Sequence, residues 1–151
     1  MGKDFPGPET GLWRFVLRLI ALFSAVFGII ASTAGTVYPV NSFFYWLFLS
    51  LCGLWSLIVL GILCFKCAPH PGCCIAFDLI AAALAAFVVV VSAIDLYFDD
   101  YGLGRNIACL IFALFVFVAH FTLFVLACID VHRRRRRPNP KAPYREVLPE
   151  V

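Results

Sequence analysis

Two oppositely charged side chains lie inside apolar stretches of the sequence, where a surrounding bilayer would make them costly. Arg18 is more than one helical turn inside the first stretch, and Asp78 is one to two turns inside the third. An unpaired charge at that depth costs about 2–3 kcal/mol or more on insertion scales. Their similar depth predicts an ion pair, which has three interpretations: a structural lock that fixes helix order, a transport or gating site, or two side chains that each extend to the interface. Arg14, nearer the start of the stretch, is expected to reach water.

A histidine lies near the middle of the fourth apolar stretch. A polar ring at that depth usually faces neighbouring helices and hydrogen-bonds to one of them, so this is the expectation for His120. A proton relay would need further ionisable groups close by. Asp95 and Asp78 lie towards opposite ends of the third stretch. At 1.5 Å per residue, we expect gaps of more than about 10 Å along such a relay.

Cysteines cluster where the second and third apolar stretches meet, and a further one has a similar expected depth in the fourth. If this side faces the cytosol, reversible acylation with palmitate is the favoured interpretation, since the reducing compartment disfavours disulfides. The candidates are Cys64, Cys67, Cys73, Cys74 and Cys128. Two alternatives stay open: inert small residues, or a zinc site in which His70 joins three of the cysteines, because these four residues are spaced by three.

A basic run follows the fourth apolar stretch directly. Beside a membrane, attraction to anionic lipid is favoured over binding to nucleic acid, and the same charge can determine topology. The run consists of Arg133, Arg134, Arg135, Arg136 and Arg137. Further on, Tyr144 and Val147 fit a Tyr-x-x-apolar sorting signal, and the C-terminal Pro-Glu-Val could meet a protein that binds terminal carboxylates.

Four long apolar stretches must position these residues. The 151 residues are 63% hydrophobic and only 14% charged, whereas soluble domains average about a quarter charged. Each stretch can cross a hydrocarbon core of about 30 Å. We predict an all-α, integral membrane, antiparallel four-helix bundle over residues 12–131, since short connections make sequence neighbours antiparallel. A tail at 1–11 precedes it, and a basic, Pro-rich tail at 132–151 follows. The predicted spans are about 12–35, 43–65, 74–98 and 106–131.

Lysine and arginine are distributed unevenly between the two expected sides of the membrane. One side collects both tails and Lys66, whereas the other has only Arg105. The positive-inside rule therefore predicts that both termini are cytosolic. The expected location is the plasma membrane, with an endomembrane as the alternative. The first stretch is longer than the core of a signal peptide, so we expect it to remain as a span.

The arrangement of charge in the first and third spans resembles a known superfamily. The segments that carry the resemblance are WRFVLRLIALFSAVFG, with Arg14 and Arg18, and AFDLIAAALAAF, with Asp78. Over about residues 12–131 the chain resembles the MARVEL superfamily and its plant CASP-like relatives, and its tail is similar to that of small fungal members. The resemblance implies membrane apposition, vesicle trafficking or organisation of lateral membrane domains, without catalysis.

No catalytic constellation is evident in the sequence. It lacks a Ser-His-Asp set at usable depth, a Gly-rich phosphate loop and a His-x-x-x-His pair, and we expect neither an enzyme nor a cofactor. Small residues in spans one and three, including Ser24, Gly28 and Ser32, predict homo- or hetero-oligomers. The alternative function is a small transporter or channel, or an accessory subunit of one, that uses the intramembrane residues Asp78, Arg18, His120 and Asp95.

Overall fold

The computed structural model describes residues 8–33, 39–65, 71–98 and 103–136, and these form four α-helices. Three of them begin at a proline, which suits the first helical position because its missing N–H would have no partner there. The helices are α1 (Pro8–Thr33), α2 (Pro39–Cys64), α3 (Pro71–Phe98) and α4 (Leu103–Arg136). The predicted all-helical fold is confirmed.

Each helix contains a segment that is long and apolar enough to cross a membrane. These segments are Leu12–Thr33, Phe43–Cys64, Gly72–Tyr97 and Asn106–Arg133. They agree with the predicted spans to within a few residues at most ends. The main difference is that α4 extends through the basic run to Arg136, since arginine is a good helix former.

The helices pack as a four-helix bundle in which each contacts two neighbours. α1 packs against α2 and α4, and α3 packs against α4 and, least closely, against α2. Small side chains fill the interior, among them Ala25, Ala85 and Ala113, and allow the backbones to approach closely. Large apolar side chains, such as Phe87 and Val118, lie on the outside. A hydrocarbon solvent suits this distribution because it has no aversion to apolar surface.

The small-residue stripe of α1 lies inside the bundle. Ser24, Gly28 and Ser32 are buried, and a Cβ added to Gly28 would lie 2.8 Å from Leu49 Cδ1 and 3.4 Å from Phe112 Cβ. In α3 the buried alanines likewise face the interior. Within the described residues, these buried side chains serve contacts between helices of one chain, and association with a second protein stays a prediction.

Candidate functional site

A cluster of polar side chains from all four helices converges on one carboxylate. The charged cluster consists of Arg18, Trp55, Ser56, Asp78 and His120. Arg18 Nη2 donates to Asp78 Oδ2 at 2.5 Å. Trp55 Nε1 donates to Asp78 Oδ1 at 2.9 Å, and His120 Nδ1 lies 3.2 Å from the same oxygen. The structure thus brings Arg18 and Asp78 together, and it adds partners from α2 and α4.

The histidine gives the charged cluster a second contact with α2. His120 Nε2 lies 3.4 Å from Ser56 Oγ. With Asp78 ionised as the partner of Arg18, the consistent tautomer has a proton on Nδ1, which donates to the carboxylate, and Nε2 accepts from the serine hydroxyl. The hydrogen-bonded path therefore runs from Arg18 through Asp78 and His120 to Ser56.

Burial makes the charged cluster energetically important. The exposed fraction is 2% for Arg18, 1% for Asp78 and 0% for both His120 and Ser56. Two charges in such surroundings are tolerable only as a pair, because removing one leaves the other desolvated. The Arg18 guanidinium also lies over the Trp55 ring, with Cζ 5.7 Å from the ring centroid, which is within cation–π range. In the described part of the chain, Arg18 Nη1 has no hydrogen-bond partner.

The expectation of gaps of more than about 10 Å along the proton relay fails at one step, because His120 Nδ1 lies 3.2 Å from Asp78 Oδ1. The arithmetic counts only the rise along the helix axes, whereas the side chains of His120 and Asp78 reach across the gap.

Asp95 does not belong to the charged cluster. It lies about 25 Å further along α3 than Asp78, at about 1.5 Å per residue. Its Oδ2 accepts a hydrogen bond from the Tyr45 hydroxyl at 2.7 Å, and its backbone oxygen accepts one from Asn106 Nδ2 at 3.5 Å. We call this group the Tyr45 layer. The structure therefore does not assemble the relay of Asp95, His120 and Asp78 weighed in the sequence analysis.

A second ion pair links α1 to α4. The guanidinium of Arg14 donates to the carboxylate of Asp130, and both side chains are about a quarter exposed. Arg14 was expected to extend to water, and its partly exposed side chain also has a protein partner. Sequence reasoning missed Asp130 because the neighbouring arginines dominate that segment. The sequence did contain a signal for this pair, because Asp130 is an acid at the end of the fourth stretch, at the depth of Arg14.

The candidate acylation residues differ in exposure. Cys64 and Cys73 are exposed, and Cys74 and Cys128 are partly exposed. Cys67 lies outside the described residues, as does His70 of the zinc alternative. Within the ranges that the structure covers, no three His, Cys, Asp or Glu side chains are grouped to hold a metal ion.

The C-terminal candidates are only partly covered. Arg133 is exposed near the end of α4, and the helix continues through Arg136. Arg137, Tyr144 and Val147 lie outside the described residues. The lipid-binding and sorting hypotheses therefore stay predictions.

Comparison with known proteins gives no family for the chain. No family model, no curated protein and no solved structure matches it. The resemblance to the MARVEL superfamily stays a prediction, and what stands is an all-helical chain with four candidate membrane-spanning helices.

Proposed function

We propose that the chain is a non-enzymatic, multi-pass membrane protein, similar to MARVEL proteins, that organises lateral membrane domains or accompanies vesicle traffic. The observation that carries the proposal is the convergence of all four helices on Asp78. Contacts from Arg18, Trp55 and His120 reach that one carboxylate, and the group is enclosed. A buried group with this many partners fixes helix order, as a structural lock does. The outer faces are then left for contact with lipid and with other membrane proteins.

The proposed architecture is an antiparallel bundle that crosses the membrane four times. Arg14, near the start of α1, pairs with Asp130, near the end of α4. Tyr45, near the start of α2, bonds to Asp95, near the end of α3. These contacts support opposite directions for each pair of helices. Both termini then lie on one side, and the positive-inside rule assigns that side to the cytosol, at the plasma membrane or an endomembrane.

The outer surface supports lateral contacts. Large apolar side chains such as Phe23, Leu54 and Phe87 are about half exposed, so they meet acyl chains or helices of other proteins. Arg133 and the arginines after it would attract anionic lipid at about 1 kcal/mol per residue. Acylated cysteines would add preference for particular lipids. Chemical crosslinking at native expression should find homo- or hetero-oligomers, and recovery of monomers alone would remove that part of the proposal.

Live imaging tests the proposed function. The chain carries a fluorescent tag at its N-terminus and is expressed at its native level. Stable patches or enrichment at contact sites are expected of a domain organiser. Moving puncta that lose their route in the Tyr144→Ala variant are expected of a trafficking protein. An even distribution over one membrane would contradict both roles.

A proton-coupled transporter or channel is the second candidate function. The contact between His120 Nδ1 and Asp78 Oδ1 favours it, because proton pathways use ionisable groups within hydrogen-bonding distance. This candidate predicts pH-dependent flux in proteoliposomes that Asp78→Asn or His120→Ala abolishes while the protein still folds. The structural lock predicts instead that these variants lose folded protein and that the unaltered chain shows no flux. Tyr45→Phe, far from the charged cluster, is the matched control.

A further inference from the structure

An apolar groove runs between α2 and α3, the neighbouring pair of helices that packs least closely. We call it the α2–α3 groove. It is a half-open cavity of about 240 Å³, larger than the roughly 150 Å³ cavities that hold one benzene molecule. Leu51, Leu54 and Ile58 line it on α2, and Phe77, Ile80 and Leu84 line it on α3. The chemistry of this surface suits a hydrocarbon chain.

Two thiols continue the lining of the α2–α3 groove at one end. The lining residues of α3 recur every three or four positions, so they share one helix face. The same spacing, continued towards the start of α3, reaches Cys73 and Cys74, about one turn before Phe77. Cys73 is exposed and Cys74 is partly exposed. A group attached to Cys73 would therefore begin on the face that lines the groove.

We propose that Cys73 is S-acylated and that its acyl chain occupies the α2–α3 groove. This inference rests on the proposed function, for which it specifies the acylated residue. In the modification, the Cys73 thiolate attacks the carbonyl carbon of an acyl thioester donor. A new carbon–sulfur bond forms, the donor's carbon–sulfur bond breaks, and the leaving thiolate takes up the proton that the cysteine has lost. No oxidant or reductant is needed.

The distance from Cys73 to the far end of the α2–α3 groove suits one acyl chain. From Cys73 to Leu84 the helix rises roughly 16 Å at about 1.5 Å per residue. One acyl chain spans half of the hydrocarbon core, which is about 15 Å. Attachment to Cys73 also favours this chain over free lipid tails by raising its local concentration.

The occupant would touch the charged cluster through one side chain. Trp55 lines the α2–α3 groove and stacks on Phe77, with ring centroids 4.5 Å apart. Its Nε1 donates to Asp78. An acyl chain packed against this stacked pair would hold the indole in place and separate the carboxylate from surrounding lipid and water.

Photocrosslinking with a fatty acid probe tests the proposal in the full-length chain at native expression. Cells are fed a fatty acid that carries a mid-chain diazirine and a terminal alkyne. The label on the purified protein is measured before irradiation, and crosslinked residues are mapped after it. Cys73→Ser should remove the hydroxylamine-sensitive label. Cys64→Ser should keep it, because this equally exposed cysteine lies off the lining face of α2. In the unaltered chain, crosslinks should concentrate on Leu51, Leu54 and Leu84.

A second variant tests the occupant separately from the modified residue. Ile80→Trp enlarges a lining side chain that is 54% exposed, so the fold should tolerate it. It should keep the thioester at Cys73 and lose the crosslinks within the α2–α3 groove. Unchanged groove crosslinks in Cys73→Ser would show a free lipid there and would overturn the proposal. Label retained in Cys73→Ser, or crosslinks only to bulk lipid in the unaltered chain, would also overturn it.

Imaging keeps this proposal distinct from the proposed function. If the unaltered chain is evenly distributed but is labelled at Cys73 and crosslinked within the α2–α3 groove, the domain-organising role fails and the acylation stands. If the chain forms patches and the label is absent from Cys73, the acylation fails and the role stands.

Discussion

The charged cluster and the Tyr45 layer lie towards opposite ends of the bundle, and each is built around an aspartate of α3. Asp78 is 1% exposed and is paired with a cation that is equally enclosed, and its partners come from the other three helices. Asp95 is only partly buried and accepts a hydrogen bond from the uncharged Tyr45 hydroxyl. Two acids of one helix therefore have different tasks. The proposed structural lock assigns the order of the four helices to Asp78, and Asp95 makes contacts at one end of the bundle.

Removing the carboxylate of the charged cluster should have the largest effect. Asp78→Ala leaves the Arg18 guanidinium buried without a counter-charge, which typically costs 3–5 kcal/mol. We expect the purified variant to lose its folded form in mild detergent, measured as the fraction of protein that stays monodisperse after graded heating. If the free energy of unfolding of Asp78→Ala lies within about 1 kcal/mol of that of the unaltered chain, the pair is not a structural lock.

A double variant sharpens this result. Replacing Arg18 and Asp78 together by leucine removes both charges, and apolar substitutes for a buried ion pair are often neutral or stabilising. We therefore expect the double variant to recover much of the stability that Asp78→Ala loses. If it recovers stability and the imaging pattern of the unaltered chain is kept, the charges are structural. If folding recovers and the pattern is lost, the charges have a functional task as well.

Removing a hydrogen bond from the Tyr45 layer should lower stability much less than removing the Asp78 carboxylate. Tyr45→Phe removes the hydroxyl that donates to Asp95 and keeps the buried ring. Interhelical hydrogen bonds in membranes contribute about 0.6 kcal/mol on average, so we expect a loss of that order in the same heating assay. Phe48→Leu, a nearby apolar change without a hydrogen bond, is the control for altered packing. A loss as large as that of Asp78→Ala would remove the distinction between the two aspartates.

Much of the fold was predictable, because four long apolar stretches of this length and composition favour candidate membrane-spanning helices. The pairing of Arg18 with Asp78 was also predictable, since both charges lie at a similar depth and are costly alone. The contacts of Trp55 and His120 with Asp78 were not predictable from the sequence. They depend on how each helix is rotated and shifted along its axis, and span lengths contain no such information. The close helix contact at Gly28 was predictable from the spacing of small residues, whereas its partners Leu49 and Phe112 were not.

The Arg14–Asp130 pair should give the smallest effect, although it resembles the charged cluster in chemistry. Both side chains are about a quarter exposed, so water and headgroups can solvate either charge when the other is removed. Partly exposed ion pairs contribute about 0.2–1 kcal/mol and are weakened by salt. We expect Asp130→Asn to lower stability by that amount at low salt, and the difference should shrink when salt is raised. The loss from Asp78→Ala should not depend on salt, because ions do not reach an enclosed pair. Equal salt dependence in the two variants would show that Asp78 is reached by water, and the charged cluster would then fit a conducting site better than a structural lock.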